Sequence, residues 1–110
     1  MTFDECQQAA ARTINPELTK GEALMHGLLG LSAEAGEVCG LHQKRYQGHI
    51  VDHGHIVKEL GDCLWMIAEI CTALDIDMGS VATANIVKLK ERYPDGFSAE
   101  KSLHRRDGDV

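Results

Sequence analysis

The sequence predicts an all-α protein, a bundle built on four main helices. Three observations carry that expectation. Apolar residues recur with a helical period along nearly the whole chain of 110 residues, two capping boxes mark helix starts, and no stretch alternates apolar and polar as a half-buried strand would. Thr2 with Glu5 opens a first helix, expected to run to about Thr13 and to end before Asn15-Pro16, because the residue preceding proline resists the α region. Thr19 with Glu22 opens the second, from about Gly21 to Tyr46. The Gly- and His-rich stretch 48–54 reads as a loop; His49, His53 and the adjoining His55 cluster there, either as a zinc site or, as the preferred reading, as incidental histidines. Asp52 is placed to cap a third helix reaching Leu74, and Asp77 a fourth that stops near Tyr93-Pro94. A short turn is expected from Ser98 and a frayed end over Arg105 to Val110. Residues 1–97 thus read as a single helical domain and 98–110 as a short tail.

The third helix has an apolar stripe, Leu60, Cys63, Leu64, Ile67, Ile70, Cys71 and Leu74, at i, i+3, i+4, i+7 spacing. Trp65 and Met66 lie well away from it. A helix apolar on more than one side is usually central, and four short helices in one chain cannot cover it easily. A homo-oligomer, dimer or tetramer, is the expectation.

Composition narrows the function. Eleven Lys and Arg against 17 Asp and Glu give a formal net charge of −6, which argues against a nucleic-acid binder, since that would need a basic face. No apolar run approaches a membrane span, and the acidic start lacks the order of a signal peptide. Cys6, Cys39, Cys63 and Cys71 have no metal-binding or redox spacing and read as ordinary residues of a cytoplasmic protein.

The informative residues are acids in apolar surroundings. Glu34 and Glu37 lie mid-way along the second helix, Glu59 and Asp62 in the first part of the third. Each pair is spaced i, i+3, so each places two like charges on one face, a mildly unfavourable arrangement on an isolated helix. Antiparallel packing of the two helices would bring all four carboxylates into one groove, and burying unpaired carboxylates is costly. Exposure to water, protonation or a shared cation would relieve this. An all-oxygen donor set points to Mg²⁺, with Mn²⁺ as the alternative. A di-iron bundle would need Glu-x-x-His on two helices, and that pattern is absent.

Other residues frame the acids. Gly27 and Gly30 fall near the face of Glu34 and Glu37, reading either as a close helix contact or as room for a ligand. His26 lies on nearly the same line as Glu37, about three turns earlier, as a base contact or a polar core histidine. Phe3, Gln7, His26 and Trp65 are candidate pocket walls. Asn85, Lys88 and Arg92, at i, i+3, i+7, form one face of the fourth helix. That face is either solvated or supplies donors to a polyphosphate, and Lys44 and Arg45 could do the same.

Three segments together, Gly30-Leu31-Ser32-Ala33-Glu34-Ala35-Gly36-Glu37-Val38, Lys58-Glu59-Leu60-Gly61-Asp62-Cys63-Leu64-Trp65 and the run from Asn85 through Arg92-Tyr93-Pro94-Asp95-Gly96-Phe97, resemble the MazG-type nucleotide pyrophosphohydrolases of the all-α NTP pyrophosphatase superfamily. The resemblance covers about Phe3 to Phe97. It implies hydrolysis of a (deoxy)nucleoside triphosphate to the monophosphate and pyrophosphate, in nucleotide pool control or house-cleaning. It implies Mg²⁺ held by Glu34, Glu37, Glu59 and Asp62, phosphate contacts from Asn85, Lys88 and Arg92, and an oligomeric enzyme. Ala33 stands where many relatives carry a further acid, and Met66 where many have tyrosine. The expected chemistry is in-line attack of water at the α-phosphorus, with Glu37 as proton acceptor and no covalent intermediate. A dUTP- or dCTP-preferring relative is a second enzyme reading, and a non-catalytic helical adaptor or antitoxin-like partner that has kept the bundle is the alternative of a different class.

Overall fold

The computed structural model describes residues 1–105 and 108–110. Five helices and no strand are found among them: α1 (Phe3–Ala11), α2 (Lys20–Tyr46), α3 (His53–Ala73), α4 (Met78–Arg92) and α5 (Ala99–Leu103). Both capping boxes form. Thr2 and Thr19 accept from the backbone N–H of Glu5 and Glu22, whose carboxylates in turn accept from the two threonine N–H groups. Those bonds hold the Glu5 and Glu22 carboxyls below their ordinary pKa. Asp52 stands at the start of α3 with extended backbone, but its side chain makes no capping bond; its carbonyl accepts from His55 and Ile56 instead. The helix therefore begins at His53, and His53 and His55 belong to its first turn rather than to a loop.

Helix ends follow local chemistry. After α2, Gly48 takes a positive φ of 92°, and the N–H groups of Gly48 and His49 return to the carbonyls of Arg45 and Lys44. After α3, Asp75 takes the same left-handed role with φ 56°: its N–H and that of Ile76 reach the Thr72 and Cys71 carbonyls. Both ends are Schellman motifs, a place where glycine is the comfortable residue and aspartate a strained one.

The chain divides into two compact units, Met1–Met78 and Gly79–Val110. In the first, α3 packs against both α2 and α1. Its core is small: Ala68, Cys71 and Met78 form the buried centre, with Ala10 and Ile67 packed against it. The Gln7 side chain ties three elements together there. Its amide nitrogen donates to Thr72 Oγ1 at 3.3 Å and to the Ile76 carbonyl at 2.9 Å, and its oxygen accepts from the Met78 N–H at 2.7 Å. Gln7 thus clamps these elements together, and it also borders a cavity with Gln8, Ala11, Thr72 and Asp77. The expected stripe on α3 is only partly inside: Cys71 is buried and Ile67 packs on the core, whereas Leu60, Leu64 and Leu74 are exposed and Ala68, outside the stripe, is buried, because α1 and α2 cover the Ala68–Cys71 side. All four cysteines are free, and burial pushes the Cys71 thiol up.

In the second unit, Ser98 caps α5 by accepting from the Lys101 N–H, and the Tyr93 and Phe97 rings meet at 5.6 Å. Arg92 forms a bidentate pair with Asp109, Nε to Oδ2 at 2.8 Å and Nη2 to Oδ1 at 2.6 Å. Of the tail expected to fray, Arg106 and Asp107 lie outside the described residues, while Asp109 is engaged.

Candidate metal centre and its surroundings

Glu34 from α2 and Glu59 and Asp62 from α3 converge. One carboxylate oxygen of each lies within 4.8 Å of the other two. The convergence follows from the packing of α2 on α3, which sets the i, i+3 acids of one helix beside those of the other. Burial pushes the Glu34 carboxyl above its ordinary pKa, and the charges of Asp62, Glu59 and Glu37 add to the shift. Three carboxylates gathered this closely repel one another in the absence of a cation. An all-oxygen cluster of high negative charge fits a hard divalent ion such as Mg²⁺. Glu37, one turn further along α2, is exposed and outside the triplet, though near enough for its charge to act on Glu34. His55 adds a contact unforeseen in the sequence, its Nε2 standing 3.2 Å from Glu59 Oε1.

About two turns away along the same helices lies a second polar group. Glu69, on α3 seven residues beyond Asp62 and so on nearly the same helical line, is only 1% exposed. Its Oε1 lies 2.6 Å from His26 Nδ1 on α2, and its Oε2 is buried without a hydrogen-bond partner. The His26 side chain is 53% exposed, and its ring meets Trp65 edge-on, centroids 6.2 Å apart at 85°. The Trp65 N–H in turn donates to Thr13 Oγ1 at 2.7 Å. Sequence reasoning named His26 and Trp65, and the structure brings them together. It missed Glu69, although an acid set in the apolar run 63–71 was the available signal.

The glycines resolve as a helix contact. Gly27 is buried, and a Cβ there would stand 2.8 Å from Ile70 Cγ1 and 3.3 Å from the Met66 carbonyl. Gly30 faces the Met66 side chain. Asn85, Lys88 and Arg92 lie on α4 in the second unit; Asn85 is exposed, Lys88 half-buried and Arg92 occupied by Asp109.

No single helix among the described residues is long and apolar enough to cross a membrane. Residues 21–97 match the MazG nucleotide pyrophosphohydrolase domain, a span that includes the carboxylate triplet, the His26–Glu69 pair and α4. The Gene 37 protein of Mycobacterium phage L5 is 30% identical over 80 residues, covering 68% of this chain and 70% of that protein. No solved structure gives a significant match. With the domain spanning most of the chain, all-helical and bearing its acids on two packed helices, the protein belongs to the MazG nucleotide pyrophosphohydrolase family.

Proposed function

We propose that this protein hydrolyses nucleoside triphosphates to monophosphate and pyrophosphate with Mg²⁺ as cofactor. The observation that carries the reading is the meeting of Glu34, Glu59 and Asp62 across the α2–α3 contact in a chain of this family. These three residues would hold the ion, with Glu37 as a further ligand or as the proton acceptor. Bound there, the ion supplies charge neutralisation for the polyphosphate and lowers the pKa of water beside it. The exposed Glu37 takes the proton of the water that attacks the α-phosphorus, and pyrophosphate leaves. Phosphate contacts from Asn85, Lys88 and Arg92 belong to the proposal on the family pattern; Arg92 must exchange Asp109 for phosphate to serve.

The exposed apolar side chains Met25, Leu28 and Leu29 on α2 and Val57, Leu60 and Leu64 on α3 support a homo-oligomer, since single chains rarely leave so many unpartnered. The four free cysteines suit a cytoplasmic setting.

The test is a panel of ribo- and deoxynucleoside triphosphates with Mg²⁺ in ¹⁸O-water. The expected products are pyrophosphate and an ¹⁸O-labelled monophosphate, lost on EDTA treatment and in Glu59→Gln. Orthophosphate as the first product rejects attack at the α-phosphorus. Turnover of no nucleotide, together with a cellular role untouched by Glu59→Gln, favours the non-catalytic adaptor.

A further inference from the structure

We infer that the His26–Glu69 pair is a fixed hydrogen-bond donor that selects nucleotides whose base carries a carbonyl, rather than an amino group, at the position it reads. The inference rests on the activity proposed above and adds the substrate class.

The argument is one of proton accounting. Glu69 is buried, with His26 Nδ1 at 2.6 Å as the hydrogen-bond partner of one oxygen and no partner for the other. Three arrangements place hydrogen between Oε1 and Nδ1. An ionised Glu69 facing a neutral His26 with hydrogen on Nδ1 leaves a net negative charge in the interior, with one oxygen unsolvated; burial penalises this state most. The other two are net neutral. In the ion pair, the imidazolium carries hydrogen on both nitrogens. In the neutral pair, the carboxylic acid donates to Nδ1 and the ring hydrogen sits on Nε2. Both neutral arrangements leave Nε2 as an N–H donor. Nδ1 is turned to the interior carboxyl and the side chain is half-exposed, so that donor is on the open side. Trp65, anchored through Thr13, bounds the ring edge-on.

Position connects the pair to the nucleotide. His26 is eight residues before Glu34 on α2, and Glu69 seven after Asp62 on α3. At 1.5 Å per residue these are separations of about 10–12 Å along the helices, the scale on which a nucleotide's base stands away from its phosphates. A donor fixed there donates to O4 of uracil or thymine, or to O6 of guanine. It opposes the amino groups of cytosine and adenine, which are donors themselves. The cavity of about 360 Å³ lined by Val38, Leu41, Val51 and Ile56, with His42 and Arg45 also on its wall, is the competing place for a base; a base seated there would be independent of the His26–Glu69 pair, and the variants below separate the two.

Two measurements on the full chain test this. In ¹⁵N–¹H correlation spectra of the histidine rings at neutral pH, His26 Nε2 is expected to carry hydrogen; a bare Nε2 overturns the assignment, whether or not the protein is active. In steady-state kinetics with Mg²⁺, kcat/KM for dUTP is expected to exceed that for dCTP by at least about tenfold, the scale of one matched against one opposed hydrogen bond, and dGTP to exceed dATP in the same sense. Glu69→Gln breaks the proton sharing and is expected to bring the dUTP/dCTP ratio towards one. Should that variant fail to fold, the half-exposed His26→Gln, whose amide can present either group, gives the same readout. A preference for dCTP and dATP, or a ratio unmoved in the folded variants, places the base elsewhere and overturns the inference while leaving pyrophosphohydrolysis standing. Inactivity on every nucleotide overturns both.

Discussion

Replacing Glu69 by methionine is expected to stabilise the protein while impairing its function. The side chains have similar volume, so the site is neither emptied nor overfilled. The wild-type carboxyl has one oxygen buried with no partner, and such a group costs about 1–3 kcal/mol. The thioether adds apolar burial of about 1 kcal/mol. Against this stands the bond to His26 at 2.6 Å, worth about 1.5–3 kcal/mol if charge-assisted. Because the His26 side chain is 53% exposed, its freed nitrogen returns to water and much of that loss is recovered. The sum favours methionine by about 1–2 kcal/mol, and it does so only because the half-exposed His26 is not left as an uncompensated buried charge. For a unit of this size each kcal/mol moves Tm by about 4–8 °C. The assay is urea and thermal unfolding of both proteins at equal concentration, since oligomerisation would make Tm concentration-dependent. A Glu69→Met protein less stable than wild type by more than about 1 kcal/mol, with an unchanged m-value, refutes the reasoning and makes the pair a net structural asset.

The two glycines Gly27 and Gly61 are expected to respond oppositely to alanine. Gly27→Ala loses about 1–3 kcal/mol to overpacking against Ile70 and the Met66 carbonyl, only partly offset by helix propensity, whereas Gly61→Ala, with open space around its Cβ, gains up to about 1 kcal/mol; urea midpoints decide it. Asp75→Gly is expected to raise stability by a few tenths to about 1 kcal/mol by relieving φ 56°, its exposed pair with Lys20 being worth little. Metal-free protein should respond to pH through Glu34, whose pKa is raised above 4.5 in the fold. Between 4.5 and the raised value the folded state binds more protons than the unfolded chain, so stability falls as pH rises through that window. Saturating Mg²⁺ should reverse the trend by competing with the proton, and thermal scans with and without the ion from pH 4.5 to 7 check both signs.

Much of the site was legible because its signals are local. The capping boxes at Thr2 and Thr19 need only a serine- or threonine-like residue and an acid three positions on, and both form. The i, i+3 acids announce a shared face, and helix pairing does the rest. What escaped depends on tertiary phase. The α3 pattern gives the right period, but a helix apolar on several sides does not say which line is innermost, so Leu60 and Leu64 were expected inside and Ala68 was not. Glu69 lacks an acidic neighbour at i+3, and its burial depends on the close approach allowed at Gly27. Arg92 reads as a free phosphate ligand until the chain returns 17 residues later with Asp109.

The Gln7 amide makes the cap of α4 depend on α1. The first N–H of α4, at Met78, finds its acceptor 71 residues upstream, where a local side chain would ordinarily serve. Closing a loop of that span carries an entropic cost that a local cap would not, so this N–H is satisfied only where the amino-terminal helix is docked.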